Sequence, residues 1–420
     1  MAQRPALMLA LVLFGSVHGQ QQHQQQPGFG AAKRVVVIGI DGCRADLIGS
    51  AVAPTLQRLV AKGASTTSAR ALLPTLSLPN WSGILTGSSP SETAITWNGW
   101  RRSTARSPPV GLPPRTPPAS APWVPNMLEI ADATGVDVSA FHDWAPLNRI
   151  LSPEFVERAV QWGNCTTLGD EWEELAGGPC GTHTAGDADS VAAGHAVCLS
   201  CWDSEDAVAS AGAVAQITRH GRGQSGRKQL VFLYQGVVDE TGHAFGWGGQ
   251  QQLEAVSAVD RRIAEIISAI ESVDPIWEDT TLVLTADHGG VGTGHTRFGN
   301  EYLPPPSGDA LVPEVLTIPW LVIGAGVVGG TSLDVANRYV SNVDTAPTAL
   351  HALGVDFPGD WYCELQYICH IFWIFENAEG IPLMNNDFVL TKCHFFCNLR
   401  YPRGLPVTEA FTGRLPMRAG

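Results

Sequence analysis

The stretch Arg34-Val-Val-Val-Ile-Gly-Ile40 runs without a break into Asp41-Gly-Cys-Arg44. A run dominated by β-branched apolar residues, with no polar alternation, is what a strand buried on both faces of a parallel sheet requires. Similar runs are Leu230-Val-Phe-Leu-Tyr234, Thr281-Leu-Val-Leu-Thr285 and Trp320-Leu-Val-Ile323. Helical spacing lies between them. Over 253–270, Leu253, Val256, Val259, Ile263, Ile266, Ile267 and Ile270 recur three or four apart, with Asp260, Arg261, Arg262 and Glu265 interspersed. Pro54–Lys62 is a shorter helix closed by Gly63. Strands alternating with helices predict an α/β sandwich whose central sheet is mainly parallel and flanked by helices.

Composition sets outer limits. The chain has 420 residues, 44% hydrophobic and 16% charged, which excludes a disordered or collagenous protein. Its formal net charge of −14 argues against wrapping nucleic acid, which calls for a basic surface. An acidic protein acting on phosphates must supply positive charge locally, most simply as bound metal.

Several segments read as separate from the main domain, which spans 34–361. Residues 1–19 read as a signal peptide: Arg4, a nine-residue apolar run from Ala6 to Phe14, and a small-residue cleavage pattern at Val17-His18-Gly19. That run is too short to span a bilayer, and no later run is long enough. Residues 20–33 are low-complexity at their start. Residues 107–125 hold eight prolines and read as an exposed loop. Residues 164–203 read as a surface insertion in which Cys165, Cys180, Cys198 and Cys201 could form two disulfides in three possible pairings. Residues 362–403 carry nine aromatics but one Ala and one Gly, and their flanks would join sensibly without them. They read as translated intron or another gene-model artefact; the alternative is an aromatic-rich insertion pinned by Cys363, Cys369, Cys393 and Cys397. Residues 404–420 form a C-terminal tail.

Three buried runs end in chemistry-bearing residues. Ile40 leads into Asp41, Tyr234 into Asp239-Glu-Thr-Gly-His243, and Thr285 into Asp287-His288 with Gly294-His295 close behind. Ligands bind at the carboxyl ends of strands in open α/β sheets, so these groups could converge. Carboxylate oxygen and imidazole nitrogen together suit zinc. Pro74-Thr75-Leu-Ser77-Leu-Pro79-Asn80 offers a nucleophile in Ser77, an amide donor in Asn80, and a second hydroxyl in Thr75. Each element alone is weak; their order in one chain is the argument.

Together these motifs resemble the type I phosphodiesterase/nucleotide pyrophosphatase family of the alkaline phosphatase superfamily, over about residues 34–361. Ala53-Pro-Thr-Leu and Asp344-Thr-Ala-Pro-Thr-Ala-Leu-His-Ala-Leu-Gly354 add to the match. The resemblance implies an alkaline-phosphatase-like sandwich and two zinc ions, one held by Asp41, Asp287, His288 and Ser77, the other by Asp239, His243 and His295. It also implies hydrolysis of phosphodiester or pyrophosphate bonds through a phosphoseryl intermediate, with Asn80 donating to a phosphoryl oxygen.

The chain departs from the family in having Ser77 where threonine is common, Trp81 where histidine is common, and Glu92-Thr-Ala94 where His-Gly is usual. His142, His183 and His195 remain open as alternative ligands. A sulfatase would resemble Cys/Ser-x-Pro-x-Arg, but Trp81 stands in the arginine place. A phosphomonoesterase needs a further cation, for which Arg44 is suggested only by proximity. A non-enzymatic alternative is a secreted binding protein that keeps the fold. Asn80 and Asn164 both open glycosylation sequons, and Asn164 is the plausible acceptor. The expected partner is a small phosphate ester or nucleotide, in an extracellular, lysosomal or vacuolar setting; oligomeric state is unreadable.

Overall fold

The computed structural model describes residues 28–101, 124–162, 188–221, 226–295, 312–334 and 340–357, without the side chains of 162, 188–199 and 220–221. The signal-peptide reading, most of the proline-rich loop, the first part of the cysteine-rich stretch and everything from 358 onward lie outside those residues. The remainder of the cysteine-rich stretch, from 188, is the beginning of a long helix.

The strands are β1 (Arg34–Ile40), β2 (Ala64–Arg70), β3 (Asp137–His142), β4 (Val160–Trp162), β5 (Gln229–Gln235), β6 (Thr280–Thr285), β7 (Thr317–Gly324) and β8 (Thr331–Ser332). They form one sheet in the order β4-β3-β5-β1-β6-β7-β2-β8. β1 lies at its centre, parallel to β5 and to β6, and every one of its residues is buried. β7 is antiparallel to both neighbours and is the only reversed strand among those described. The run Trp320-Leu-Val-Ile323 therefore belongs to the sheet but points the other way. An unbroken apolar run reports burial on both faces, which is the same for either direction.

Helices flank the sheet: α1 (Pro54–Lys62), α2 (Ser77–Thr86), α3 (Ala188–Gly221), α4 (Val237–Phe245), α5 (Gln250–Val273) and α6 (Thr345–Leu353). α6 packs against β1 and β6, so the closing helix shares a core with the first strand. Helix α5 buries Val256, Val259, Ile263, Ile266, Ile267 and Ile270, as their spacing requires.

The charged residues interspersed along α5 divide into two groups. Asp260 is 2% exposed, and its carboxylate accepts hydrogen bonds from Leu56 N at 2.7 Å and Thr55 N at 3.2 Å. These are orphan amides of the first turn of α1, whose own N-cap, Ala53, offers no side-chain oxygen. Arg262 turns inward as well, donating to Asp203 and lying 3.7 Å from Asp206. Asp260→Ala is expected to lower unfolding free energy by about 1–2 kcal/mol, the usual loss for a helix cap. Urea titration checks this, and Asp260→Asn should recover part of the loss.

Candidate active site

Because β5, β1 and β6 are adjacent and parallel, their carboxyl ends open onto one place. Asp41 follows β1 directly, Asp287 stands two residues beyond β6, and Asp239 lies in the first turn of α4, which begins two residues after β5. Gly42 holds the turn after Asp41 at φ +63°, and a Cβ there would collide with the Asp239 carboxylate. Only glycine suits both the left-handed backbone and the close approach.

Each carboxylate is gripped on one side and open on the other. Asp41 Oδ2 accepts from Tyr234 Oη at 2.6 Å and Trp81 Nε1 at 3.0 Å. Asp287 Oδ1 accepts from Gly42 N at 3.1 Å and His288 N at 2.9 Å. Asp239 Oδ2 lies 3.3 Å from His243 Nε2. The remaining oxygens, Asp41 Oδ1, Asp239 Oδ1 and Asp287 Oδ2, are buried without any hydrogen-bond partner.

The three histidines share one arrangement. His243 Nδ1 bonds Thr293 O at 3.0 Å, His288 Nδ1 bonds Gly289 O at 2.9 Å, and His295 Nδ1 bonds Thr75 O at 2.6 Å. A carbonyl can only accept, so each Nδ1 carries the hydrogen; Nε2 of His243 and of His295 faces Asp239, and Nε2 of His288 faces Asp41 and Asp287, while its Nδ1 lies 4.0 Å from Asp239 Oδ1. A metal-binding imidazole is held in this way, its other nitrogen donating to a backbone carbonyl. His288 Nε2 sits 3.1 Å from Asp287 Oδ2, 3.5 Å from Asp41 Oδ1 and 3.3 Å from Ser77 Oγ. His295 Nε2 sits 3.9 Å from Asp239 Oδ1.

Two overlapping triplets bring possible ligand atoms within 4.8 Å of one another: Asp41, Asp287 and His288, and Asp239, His288 and His295. His243 borders the second triplet through Asp239 without belonging to it, and His288 belongs to both. His142 lies apart, bonded to Asn148 Oδ1 at 3.0 Å. His183 and the His195 side chain lie outside the described residues.

The electrostatics point the same way. Burial, then the neighbouring carboxylates, push Asp41 and Asp287 well above the usual carboxyl range. Burial lowers His288 to about 4 and carries His295 well below its ordinary value, leaving both lone pairs available at neutral pH. Burial opposes charge on His243, but Asp239 beside it raises it to about 10. Among the described residues, the ion-pair partners of the three carboxylates are all imidazoles. Three convergent carboxylates, unpartnered oxygens and inward nitrogens fit divalent cations.

Ser77 opens α2, with its hydroxyl toward His288. Thr75 instead lends its backbone carbonyl to His295. Asn80 departs from the sequence expectation. Its Oδ1 accepts from Leu72 N at 2.7 Å and Asn342 Nδ2 at 2.8 Å, and its Nδ2 donates to Pro74 O and Leu76 O, both at 3.0 Å. With 0% exposure, this amide is consumed in holding the loop before Ser77. Asn98 meets the start of α2 instead: its Oδ1 accepts from Leu78 N at 2.9 Å while Arg149 Nη1 donates to its backbone carbonyl at 2.8 Å. Only the turn-like Asn98-Gly99 pair could have flagged it. Arg44 is closed in a bidentate pair with Asp46 at 2.6 and 2.8 Å and braces Gly290 O.

The architecture is similar to solved structures of this class. The alkaline phosphatase PafA is 14% identical, with a TM-score of 0.51 over 78% of this chain and 97% of that one. Ps i-CgsB is 13% identical, with a TM-score of 0.52 over 84% of this chain and 77% of that one. The fold is thus an alkaline-phosphatase-like α/β sandwich. Residues 35–342 match the type I phosphodiesterase / nucleotide pyrophosphatase family, and the chain belongs to it. Lipoteichoic acid synthase 2 of Bacillus subtilis (strain 168) is 27% identical over 139 residues, 32% of this chain, so the match spans about a fifth (19%) of that relative.

Behind α4 lies a second acidic pair. Asp206, from α3, accepts from Gly236 N at 2.8 Å and Val237 N at 3.2 Å, capping the helix that carries Asp239 and His243. Asp143 faces it, 1% exposed, with neither oxygen receiving a hydrogen bond. Burial raises both carboxyls, and the charge of Asp206 raises Asp143 further. A carboxyl raised on folding contributes stability below its unfolded value, near 4, that is lost as pH climbs through the folded value. Asp143→Asn should therefore flatten the decline of Tm between pH 5 and 8 and stabilise at pH 8 by about 1–3 kcal/mol, the scale of an unsatisfied buried polar group. Thermal melts at both pH values check it; a lower Tm at pH 8 would contradict the assignment.

Proposed function

We propose that this chain hydrolyses phosphodiester or pyrophosphate bonds with Ser77 as nucleophile, at a site that holds two zinc ions. The observation that carries the proposal is the meeting of Ser77 Oγ, His288 Nε2, Asp41 Oδ1 and Asp287 Oδ2, with Asp239, His243 and His295 alongside. Asp41, Asp287, His288 and Ser77 would hold one ion, and Asp239, His243 and His295 the other. When bound, such ions supply Lewis-acid stabilisation and lower the pKa of the serine hydroxyl.

The protein's own residues do the rest. The α2 backbone aims Ser77 Oγ from a helix N-terminus, where amide dipoles favour an anionic phosphoryl group. Ser77 Oγ gives up its proton to solvent and bonds to phosphorus as the bond from phosphorus to the leaving ester oxygen breaks, and that oxygen takes a proton from solvent. Water then cleaves the phosphoseryl ester and returns the hydroxyl. Asn98, its Oδ1 fixed by Leu78 N beside Ser77, would supply Nδ2 as the donor to a phosphoryl oxygen, the part first assigned to Asn80.

Charge favours a diester. Three carboxylates and an ionised Ser77 balance two divalent ions, leaving no surplus for a doubly charged monoester, and Arg44 is already paired. The residues 1–19 and the Asn164 sequon fit a secreted or secretory-lumen enzyme.

Ser77→Ala should abolish most turnover while largely retaining bound zinc, measured by metal analysis beside a nitrophenyl phosphodiester assay. Asn98→Ala should lower kcat by about 10²–10³, the range for one preorganised donor. Near-normal rates in Ser77→Ala with a dead Thr75→Ala would move the nucleophile two residues. In a panel of diester, monoester and sulfate ester, with and without chelator, the diester should lead and chelation should silence it. A hundredfold higher kcat/KM for the monoester would overturn the substrate class.

A further inference from the structure

Trp247, just beyond the C-terminus of α4, bridges the Asp41 turn and two of the site's histidines. Its Nε1 donates to Gly42 O at 2.9 Å, in the turn after Asp41. Its ring stands edge-on to His243, with centroids 5.0 Å apart and planes at 87°, and to His295 at 6.0 Å and 71°. Its backbone amide donates to Gly292 O at 2.8 Å, in the loop leading to His295. Two glycines clear its path: a Cβ on Gly242, in α4, or on Gly290, after His288, would collide with the indole. Only 8% of Trp247 is exposed.

We propose that Trp247 is a positioning residue that sets the second cation site, Asp239, His243 and His295, at a fixed place relative to the first. This rests on the two-cation reading above. The indole is the only described side chain placed against both His243 and His295 while hydrogen-bonded to the Asp41 turn. The backbone carbonyls of Thr293 and Thr75 fix the rotation of those imidazoles, and the indole fixes how far they stand from Gly42.

The test is titration of the metal-free full chain with cobalt(II), following visible absorbance and calorimetry, for the wild type and Trp247→Phe. Phenylalanine keeps an aromatic wall and removes the bond to Gly42 O. The wild type should bind two ions. The variant should bind one with unchanged affinity and the other ten- to a hundredfold more weakly, the loss typical of an outer-shell partner. Gly242→Ala, which presses a methyl into the indole from α4, should repeat that pattern, keeping the test open if Trp247→Phe does not fold. Two ions bound as in wild type would overturn the inference, as would equal weakening of both, which marks a merely structural side chain. A wild type that binds fewer than two ions would overturn the two-cation reading and this inference with it.

Discussion

Asp41, Asp239 and Asp287 converge at one buried point, and like charges about 4 Å apart repel by about 4 kcal/mol at an effective dielectric of 20. Much of the surrounding structure manages that repulsion. One oxygen of Asp41 is held by a phenol and an indole, and one of Asp287 by two backbone amides. The outward oxygens are left without donors. A fold that only needed to be stable would have placed a neutral side chain or an arginine here, since a buried charge without a partner is costly. The unsatisfied oxygens mark where stability gives way to chemistry.

The sheet is what makes the convergence possible. β1 is flanked by parallel strands on both sides, so three consecutive carboxyl ends rise together. Gly39 leaves room for the Trp81 ring to cross β1 and reach Asp41, and Tyr234 approaches from the end of β5. Trp144 stacks on Tyr234 at 6.3 Å with planes 12° apart. Large aromatics can therefore serve as rigid donors, because each is packed before it reaches the carboxylate.

How much of this was legible depends on the range of the signal. The strands, the long helix α5 and the acidic groups at strand ends are local patterns, and they stand where the pattern put them. Ser77 Oγ lies 3.3 Å from His288 Nε2, two residues that the family resemblance groups at one ion. Direction was not legible: nothing in Trp320-Leu-Val-Ile323 distinguishes the reversed β7 from its parallel neighbours. The tasks of the amides were not legible either. Asn80 lies three residues from Ser77 yet spends both ends on the loop behind it, whereas Asn98, which accepts from Leu78 N, comes from a turn 21 residues after Ser77. Trp81, a departure from the family pattern, became intelligible only once Gly39 was seen beneath it. Asp260 and Asp206, helix caps supplied by other helices, depend on pairings that no local spacing encodes.

His288 joins the two halves of the site. Its Nε2 faces Asp41, Asp287 and Ser77, and its ring lies 3.6 Å from that of His295, nearly parallel at 19°. Anything that moves this imidazole moves both triplets and the group facing Ser77 together. A cation that binds only the folded chain stabilises it by about 4 kcal/mol at a thousandfold excess over its Kd. That is a large share of the 5–15 kcal/mol typical of a whole domain. Under the two-cation proposal, occupancy of the site and integrity of the sheet's carboxyl edge would be one equilibrium: an ion would relieve the repulsion that the parallel strands create, and the strands would hold the donors it requires.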